Sequence, residues 1–309
     1  MVTQCDDMPF EPPSVSVIIP VYNDPRGIRM TLDSVLDQTY PETDYEVLAV
    51  DNGSTDETRD VIGTYCEEYP DRVRLLVEDE IQGPAAARNK GVAEANGTIL
   101  GFIDADMTVE ETWLEHAVQS MESNDWSYMG CNVEIYVEED KDTLTATYNQ
   151  IFGFPIQKYI EEQHFSGTGC LFVRSEVFDE VGNFDDRLFS GEDQEFGNRV
   201  YDAGFDQHYQ PAITMYHPAR SSLPALLKKH FRHGRGRAQM QRYHPSRVQK
   251  PSVLNPRNYL PPHPIRFYKN VTDVASLSWS DIILLFFIAY MKRLSATAGW
   301  AYEHFGEGE

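Results

Sequence analysis

The first hundred residues alternate short apolar runs with amphipathic stretches. Val15–Val21 reads VSVIIPV and ends at Asn23, Asp24 and Pro25. An apolar run of that length bounded by turn residues predicts a buried strand, and a proline in the first turn opens a helix. That helix presents Ile28, Leu32, Val35 and Leu36 at helical spacing. Tyr45–Val50 predicts a second strand, followed by the turn DNGSTD, capped through Ser54 or Thr55, and a helix to about Glu68. Arg72–Val77 is a third strand, then comes a Gly-Pro loop and an Ala-rich helix to Ala95. Thr98–Ile103 is a fourth strand and runs directly into Asp104-Ala105-Asp106. Repeated strand–helix units of this size call for a largely parallel sheet with right-handed crossovers. Functional residues then collect where strands end and helices begin.

Beyond Glu110 the pattern is less regular. It predicts a helix carrying Trp113 and Met121, a strand near Tyr128–Val137 and a helix from about Asp142 to Ile160. Gly167–Arg174 reads as a loop entering a strand, Gly191 opens another helix, and Gln207–His217 is a closing strand. A basic helix follows around Pro224–Tyr243. Six prolines in the twenty positions 245–264 favour an extended connector. The last helix, Ser276–His304, is the most hydrophobic part of the chain. There is no internal repeat. The expected division is a domain over 1–217, with a donor half at about 14–107 and an acceptor half at about 108–217. A C-terminal basic and hydrophobic helical region covers 218–309.

Charge changes this picture. The 309 residues hold 49 Asp and Glu against 26 Lys and Arg, a net of −23, and only eight of those bases are Lys. Such a surface repels nucleic acid, itself a polyanion. It suits a halophilic host, where the Debye length falls to about 3 Å at 1 M salt and self-repulsion is screened. The deficit is uneven: the 66 residues between Asp206 and Asp273 hold no acid but twelve bases. One basic segment on an acidic body implies a local anionic partner. Cys5, Cys66, Cys131 and Cys170 lack CxxC spacing, which fits a reduced, cytoplasmic compartment without a zinc site. The N-terminus has no signal-peptide pattern, and the apolar run Ile282–Met291 is about half the roughly 20 residues of a spanning helix.

The candidate chemistry lies at strand ends. Asp51, in a turn with Gly53, Ser54 and Thr55, can accept a hydrogen bond from a nucleobase or ribose; the same turn also reads as a plain helix start. Asp104 and Asp106, two positions apart after a strand, can divide ribose and a hard cation between them, where a lone acidic turn would be merely solvated. The cation would neutralise charge on a departing diphosphate. Arg88, in GPAAARNKG, can reach a diphosphate or base, or sit on the surface. Asp193, in GEDQEF, can take a proton from an acceptor hydroxyl, or simply favour the helix dipole. His217 is a candidate third ligand, although a lone histidine is more often structural. GPAAARNKG lacks GxxxxGK[ST] and no GxGxxG follows the first strand, which takes most of the support from the kinase, ATPase and dehydrogenase readings.

Six segments in order, VSVIIPVYN, VDNGSTD, GPAAARNKG, FIDADM, GTGCLFVR and GEDQEFGNRVYDAGF, resemble glycosyltransferase family 2 over about residues 14–217. The resemblance implies the α/β GT-A fold of nucleotide-diphospho-sugar transferases: a mostly parallel central sheet flanked by helices, here with a C-terminal helical extension. It implies that Asp51 contacts the nucleobase, that Asp104 and Asp106 serve ribose and a divalent metal (Mn²⁺ or Mg²⁺), and that Asp193 is the base of an inverting transfer. Asn52 departs from the family, which often has a second Asp there. The basic stretch Lys228–Arg237 looks like the acceptor-side segment of members that act on lipid-linked sugars. The hydrophobic end around Ile282–Met291, flanked by Lys292 and Arg293, could lie in a membrane interface, or pack as a helix on the domain or on a second subunit. With the halophile signature, the chain is similar to haloarchaeal enzymes that extend dolichol-phosphate-linked glycans for surface-layer N-glycosylation, several of which transfer hexuronic acids. The expected partners are a nucleotide-diphosphate sugar, with UDP preferred, a lipid-linked acceptor and the cytoplasmic membrane face. A polyprenyl-phosphate monosaccharide synthase and a non-catalytic sugar- or lipid-binding scaffold are the alternative readings.

Overall fold

A computed structural model describes residues 14–248 and 258–306. Cys5, the sequence before Ser14 and the middle of the proline-rich connector lie outside the described residues. The strands are β1 (Val15–Val21), β2 (Tyr45–Asp51), β3 (Val73–Val77), β4 (Ile99–Ile103), β5 (Thr108–Val109), β6 (Tyr128–Tyr136), β7 (Cys170–Arg174) and β8 (His208–Pro218). They form one sheet in the order β3-β2-β1-β4-β7-β6-β8-β5. β1 to β4 pair in parallel, as do β6 and β8; β7 runs against β4 and β6, and β5 against β8. Six strands therefore point one way. Their C-terminal ends, and the start of the reversed β7, share one edge.

The helices are α1 (Pro25–Leu36), α2 (Thr58–Glu68), α3 (Pro84–Glu94), α4 (Trp113–Asn124), α5 (Leu144–Phe152), α6 (Ile156–Gln163), α7 (Ser175–Val181), α8 (Glu192–Asp202), α9 (Leu223–Tyr243), α10 (Pro264–Thr272) and α11 (Trp279–Phe305). Alternation along β1 explains the layering. Val17 and Ile19 pack into one core with Ile28, Leu32 and Trp113, while Ile18 packs on the other face with Leu48, Phe102 and Phe196. Near-continuous apolar strands are what a sheet covered on both faces requires.

Three expectations need correction. The helix expected over 142–160 is two helices, because Pro155 lacks an N–H and pushes Phe154 out of helical geometry. Neither Ser54 nor Thr55 caps α2, whose N-cap is Glu57 without a side-chain bond. Ser54 Oγ instead accepts from the Asn23 N–H at 2.9 Å, and Asn23 Oδ1 accepts from the Thr55 N–H at 2.8 Å, tying the ends of β1 and β2 together. The connector expected over 245–264 gives way to α10 at its last residue, since a proline at the first helical position fits a helix start.

The C-terminal helices form a third cluster around Leu226, Phe267, Val271, Ile282, Leu285 and Ile288, which also takes in Tyr148 of α5. α9 and α11 touch backbone to backbone. A methyl on Gly234 would overlap the Ala296 carbonyl, and one on Gly299 the Phe231 carbonyl. Glu303 is buried there and accepts from Arg235 Nε at 2.7 Å and Gln239 Nε2 at 2.9 Å. α11 also passes, by length and composition, for a membrane-crossing helix, with a mean hydropathy of 1.5 in its most apolar stretch. Its second half is nevertheless committed to α9.

Candidate active site

The shared strand edge holds Asp51, Asp104, Asp106 and His217; Arg88 reaches it from α3, and Asp193 stands beside it at the start of α8. Asp51 ends β2 and is fully buried. Its Oδ2 accepts from the Ser54 N–H at 3.1 Å and from Arg59 Nε at 2.6 Å. Its Oδ1 is buried without a partner. A buried acceptor without a donor is costly, so this oxygen fits a ligand N–H or hydroxyl. Asn52, the departure from the family pattern, has its own work. Its Nδ2 donates to the Glu78 and Ile81 carbonyls at 2.9 and 2.8 Å, and its Oδ1 accepts from the Gly83 N–H at 2.6 Å. One side chain that both donates and accepts holds the 78–83 loop at the start of α3; a carboxylate could not donate.

Arg88 projects from α3 and is buried. Nη2 donates to Asp104 Oδ1 and Nη1 to Glu192 Oε1, both at 2.9 Å. Both terminal nitrogens are thus engaged by protein carboxylates, and Arg88 links the strand-end aspartate of the first half to the acidic helix start of the second. Burial alone would raise the Asp104 pKa, but Arg88, His217 and Lys229 outweigh it and hold the carboxyl below its ordinary value. Gly169, in the loop before β7, lies so close that an added methyl would meet the Asp104 carboxylate at 2.6 Å.

His217, near the end of β8, is buried, and its Nδ1 lies 2.6 Å from the Pro218 carbonyl oxygen. A carbonyl only accepts, so Nδ1 carries a proton and this contact fixes the ring. Nε2 then faces Asp106 Oδ2 at 3.6 Å. The ring is fixed on its other side by Phe154, 5.1 Å away between centroids, where the α5–α6 break places it. An imidazole oriented through its first nitrogen, with the second opposite a carboxylate, is a donor pair that suits a divalent cation. Among the described residues no group of three or more His, Cys, Asp or Glu side chains gathers as a metal cage. Two protein ligands with the rest supplied by substrate phosphates is the usual arrangement for a hard cation on a nucleotide.

Asp193 stands in the first turn of α8, after Gly191 in a left-handed conformation at φ 96°. Its Oδ1 accepts from the Gln194 N–H at 2.8 Å. Burial first, then the neighbouring Glu192, push its pKa up to about 7; Arg88 opposes them. A carboxylate poised near neutrality is matched to general-base work.

The sequence did not reveal that part of the basic segment faces this edge. Lys229 of α9 lies 4.9 Å over the Phe154 ring. Burial, Arg220 and Arg232 push its pKa down to about 8, against the pull of Asp104 and Asp106. Periodicity along α9 could not show this, because the acids it faces lie more than a hundred residues earlier.

Comparison with known proteins gives the family and the fold. Residues 16–182 match the model of glycosyl transferase family 2. The chain is 39% identical over 228 residues to glycosyltransferase AglE of Haloferax volcanii, covering 74% of each protein. It is 27% identical over 236 residues to the probable glycosyltransferase YdaM of Bacillus subtilis, covering 73% of this chain and 56% of that one. Among solved structures, the mannosyltransferase PcManGT from Pyrobaculum calidifontis, in complex with GDP-Man and Mn²⁺, superposes with a TM-score of 0.63 at 19% identity, over 97% of this chain and 89% of that one. S. aureus TarS 1-349 in complex with UDP gives a TM-score of 0.51 at 16% identity, over 95% of this chain and 92% of that one. The fold is GT-A, as the sequence led us to expect.

Proposed function

We propose that this chain, which belongs to glycosyl transferase family 2 and is a glycosyltransferase, moves one sugar with inversion from a nucleotide-diphosphate donor to a lipid-linked glycan. The observation that carries the reading is the pairing at one sheet edge of an oriented metal-donor pair, Asp106 and His217, with a carboxylate tuned toward neutrality, Asp193. Asp51 would receive the base through its free oxygen, and Asp104 the ribose. Asp106 and His217 would hold Mn²⁺ or Mg²⁺, which supplies Lewis-acid neutralisation of the departing diphosphate. Asp193 would accept the proton of the attacking hydroxyl, so that the acceptor oxygen enters opposite the leaving group. Arg88 keeps Asp104 ionised and ties it to Glu192 beside the base. Solved relatives of this fold hold GDP-Man with Mn²⁺ or UDP, which supports a nucleotide-sugar donor.

The acceptor and location follow from surface chemistry. Trp279, Ile283, Leu284 and Phe287 of α11 are exposed, together with Ile265 of α10 and Val274 beyond it. Arg266 and Lys269 of α10 and Arg293 of α11 are exposed on the same two helices. An apolar face with basic neighbours suits the headgroup boundary of a bilayer. Because the second half of α11 is locked to α9, the helix would lie along the interface at the cytoplasmic face, and the C-terminal region 218–309 would carry the transferase domain 1–217 there. The resemblance to haloarchaeal glycosyltransferase AglE favours a dolichol-phosphate-linked glycan in a salt-loving cell. A screen of UDP- and GDP-sugars with extracted lipid acceptor, read by mass spectrometry, tests this. A glycan lengthened by one sugar is expected; a single sugar on lipid phosphate would instead make the chain a monosaccharide synthase.

A further inference from the structure

In a chain with 49 acidic residues, cations find partners readily. Arg59, Arg74, Arg88, Arg174, Arg199, Arg235 and Arg247 all pair with carboxylates. Seven cations of the acid-free segment form no ion pair among the described residues; Lys228, Arg237, Arg266 and Lys269 stand exposed in solvent, whereas Arg220, just past β8, and Lys229 of α9 are partly covered, with Arg232 one turn further along α9. Partial desolvation, then Arg220 and Arg232, lower the Lys229 pKa, and partial desolvation lowers that of the solvent-exposed Arg232, with Glu192 opposing and Arg220 adding to it. His230 is pushed down to about 3 by burial and then by Lys292, His233, Lys229 and Arg220. Arg220 Nε is buried without any hydrogen-bond partner, while its backbone N–H is fixed by Asn149 Oδ1 at 2.8 Å. A concentration of positive charge on so acidic a protein is costly unless an anion answers it.

The direction of the cluster is informative. Lys229 rests on Phe154, which packs against His217, so the ammonium lies one ring away from the metal-donor pair. It also feels Asp104 and Asp106, while Arg232 feels Glu192 and Asp104. We propose that Arg220, Lys229 and Arg232 form a seat for a phosphate or diphosphate group, opposite the Asp104–Asp106 edge of the active site. This rests on the donor reading above and assigns that site a second source of positive charge besides the cation. Fixed cations aimed at a leaving diphosphate stabilise charge that grows during transfer, and guanidinium forks match phosphate oxygens bidentately. The rest of the basic segment divides differently, since Arg235 is held by Glu303 as part of the α9–α11 contact.

The same seat could receive the nucleotide diphosphate or the phosphate of a lipid acceptor, and one experiment separates them. The full chain, in molar KCl, is titrated with UDP, GDP, UMP and GMP, with Mn²⁺ and with chelator, and mixed with vesicles with and without polyprenyl phosphate. Variants are Lys229→Met, Arg232→Gln and Arg220→Gln, with Lys229→Arg as the charge-conserving rescue and Lys158→Ala as a surface control. We expect the ratio of diphosphate to monophosphate affinity to fall tenfold or more in Lys229→Met and to return in Lys229→Arg. A loss confined to polyprenyl-phosphate vesicles would also support the seat, but place it on the acceptor side. Unchanged values for both probes in folded variants would overturn the seat alone. A wild-type chain that binds none of these nucleotides would overturn the donor reading itself, and the seat with it.

Discussion

Asp193 shows how environment sets a residue's role. Burial beside Glu192 lifts its pKa to about 7, so it is protonated below that pH and a base above it. Turnover at saturating acceptor should rise through pH 7 and level off, and a pH profile checks this. Asp193→Asn should keep donor and metal binding but lose roughly 10²–10⁴-fold in rate. Stability runs the other way. A carboxyl whose folded pKa is raised favours the fold below its unfolded value near 4, and that contribution is lost as pH rises through about 7. The Asn variant should therefore melt above wild type at pH 8, by about half that margin at pH 5.5, and close to it only below about pH 4; the reverse order would show that Asp193 is stabilised as an anion. The strand-end acids were legible in the sequence because apolar runs of fixed length stop at them. The roles of Asn52, Glu192 and Lys229 were not. They depend on partners 26 to more than 100 positions away, which no local pattern records.

At the scale of elements, strands β1 to β4 follow directly from apolar runs bounded by turn residues. The two-residue β5 and the short α7 carry too few residues for a periodic signal. Pro155 could have been read as a helix break, and the break matters because it delivers Phe154 to His217. The α9–α11 crossing was hidden for another reason: glycines within a helix read as weak points until the facing backbone is known. There Gly299 meets Phe231 and Gly234 meets Ala296. Gly299→Val should cost about 1–3 kcal/mol by overpacking, read as a lower denaturation midpoint. If stability is unchanged, the two helices do not pack this closely.

For the whole molecule, charge and apolar surface act together. The net charge of −23 is a source of self-repulsion that salt screens, and the exposed apolar face of α10 and α11 is the surface proposed above to meet lipid. Trp279→Ser with Phe287→Ser, both at exposed positions, should weaken sedimentation with anionic vesicles about tenfold or more, with little change in melting temperature. Undiminished membrane binding would move the contact to another surface. The central claim, that one sheet edge holds a metal-bound nucleotide between Asp106 and His217, is tested most directly by anomalous scattering from crystals grown with Mn²⁺ and a nucleoside diphosphate. The predicted result is one manganese peak within about 2.3 Å of both Asp106 Oδ2 and His217 Nε2, with the diphosphate completing its shell. A well-ordered nucleotide with manganese bound elsewhere, or with none, would contradict it.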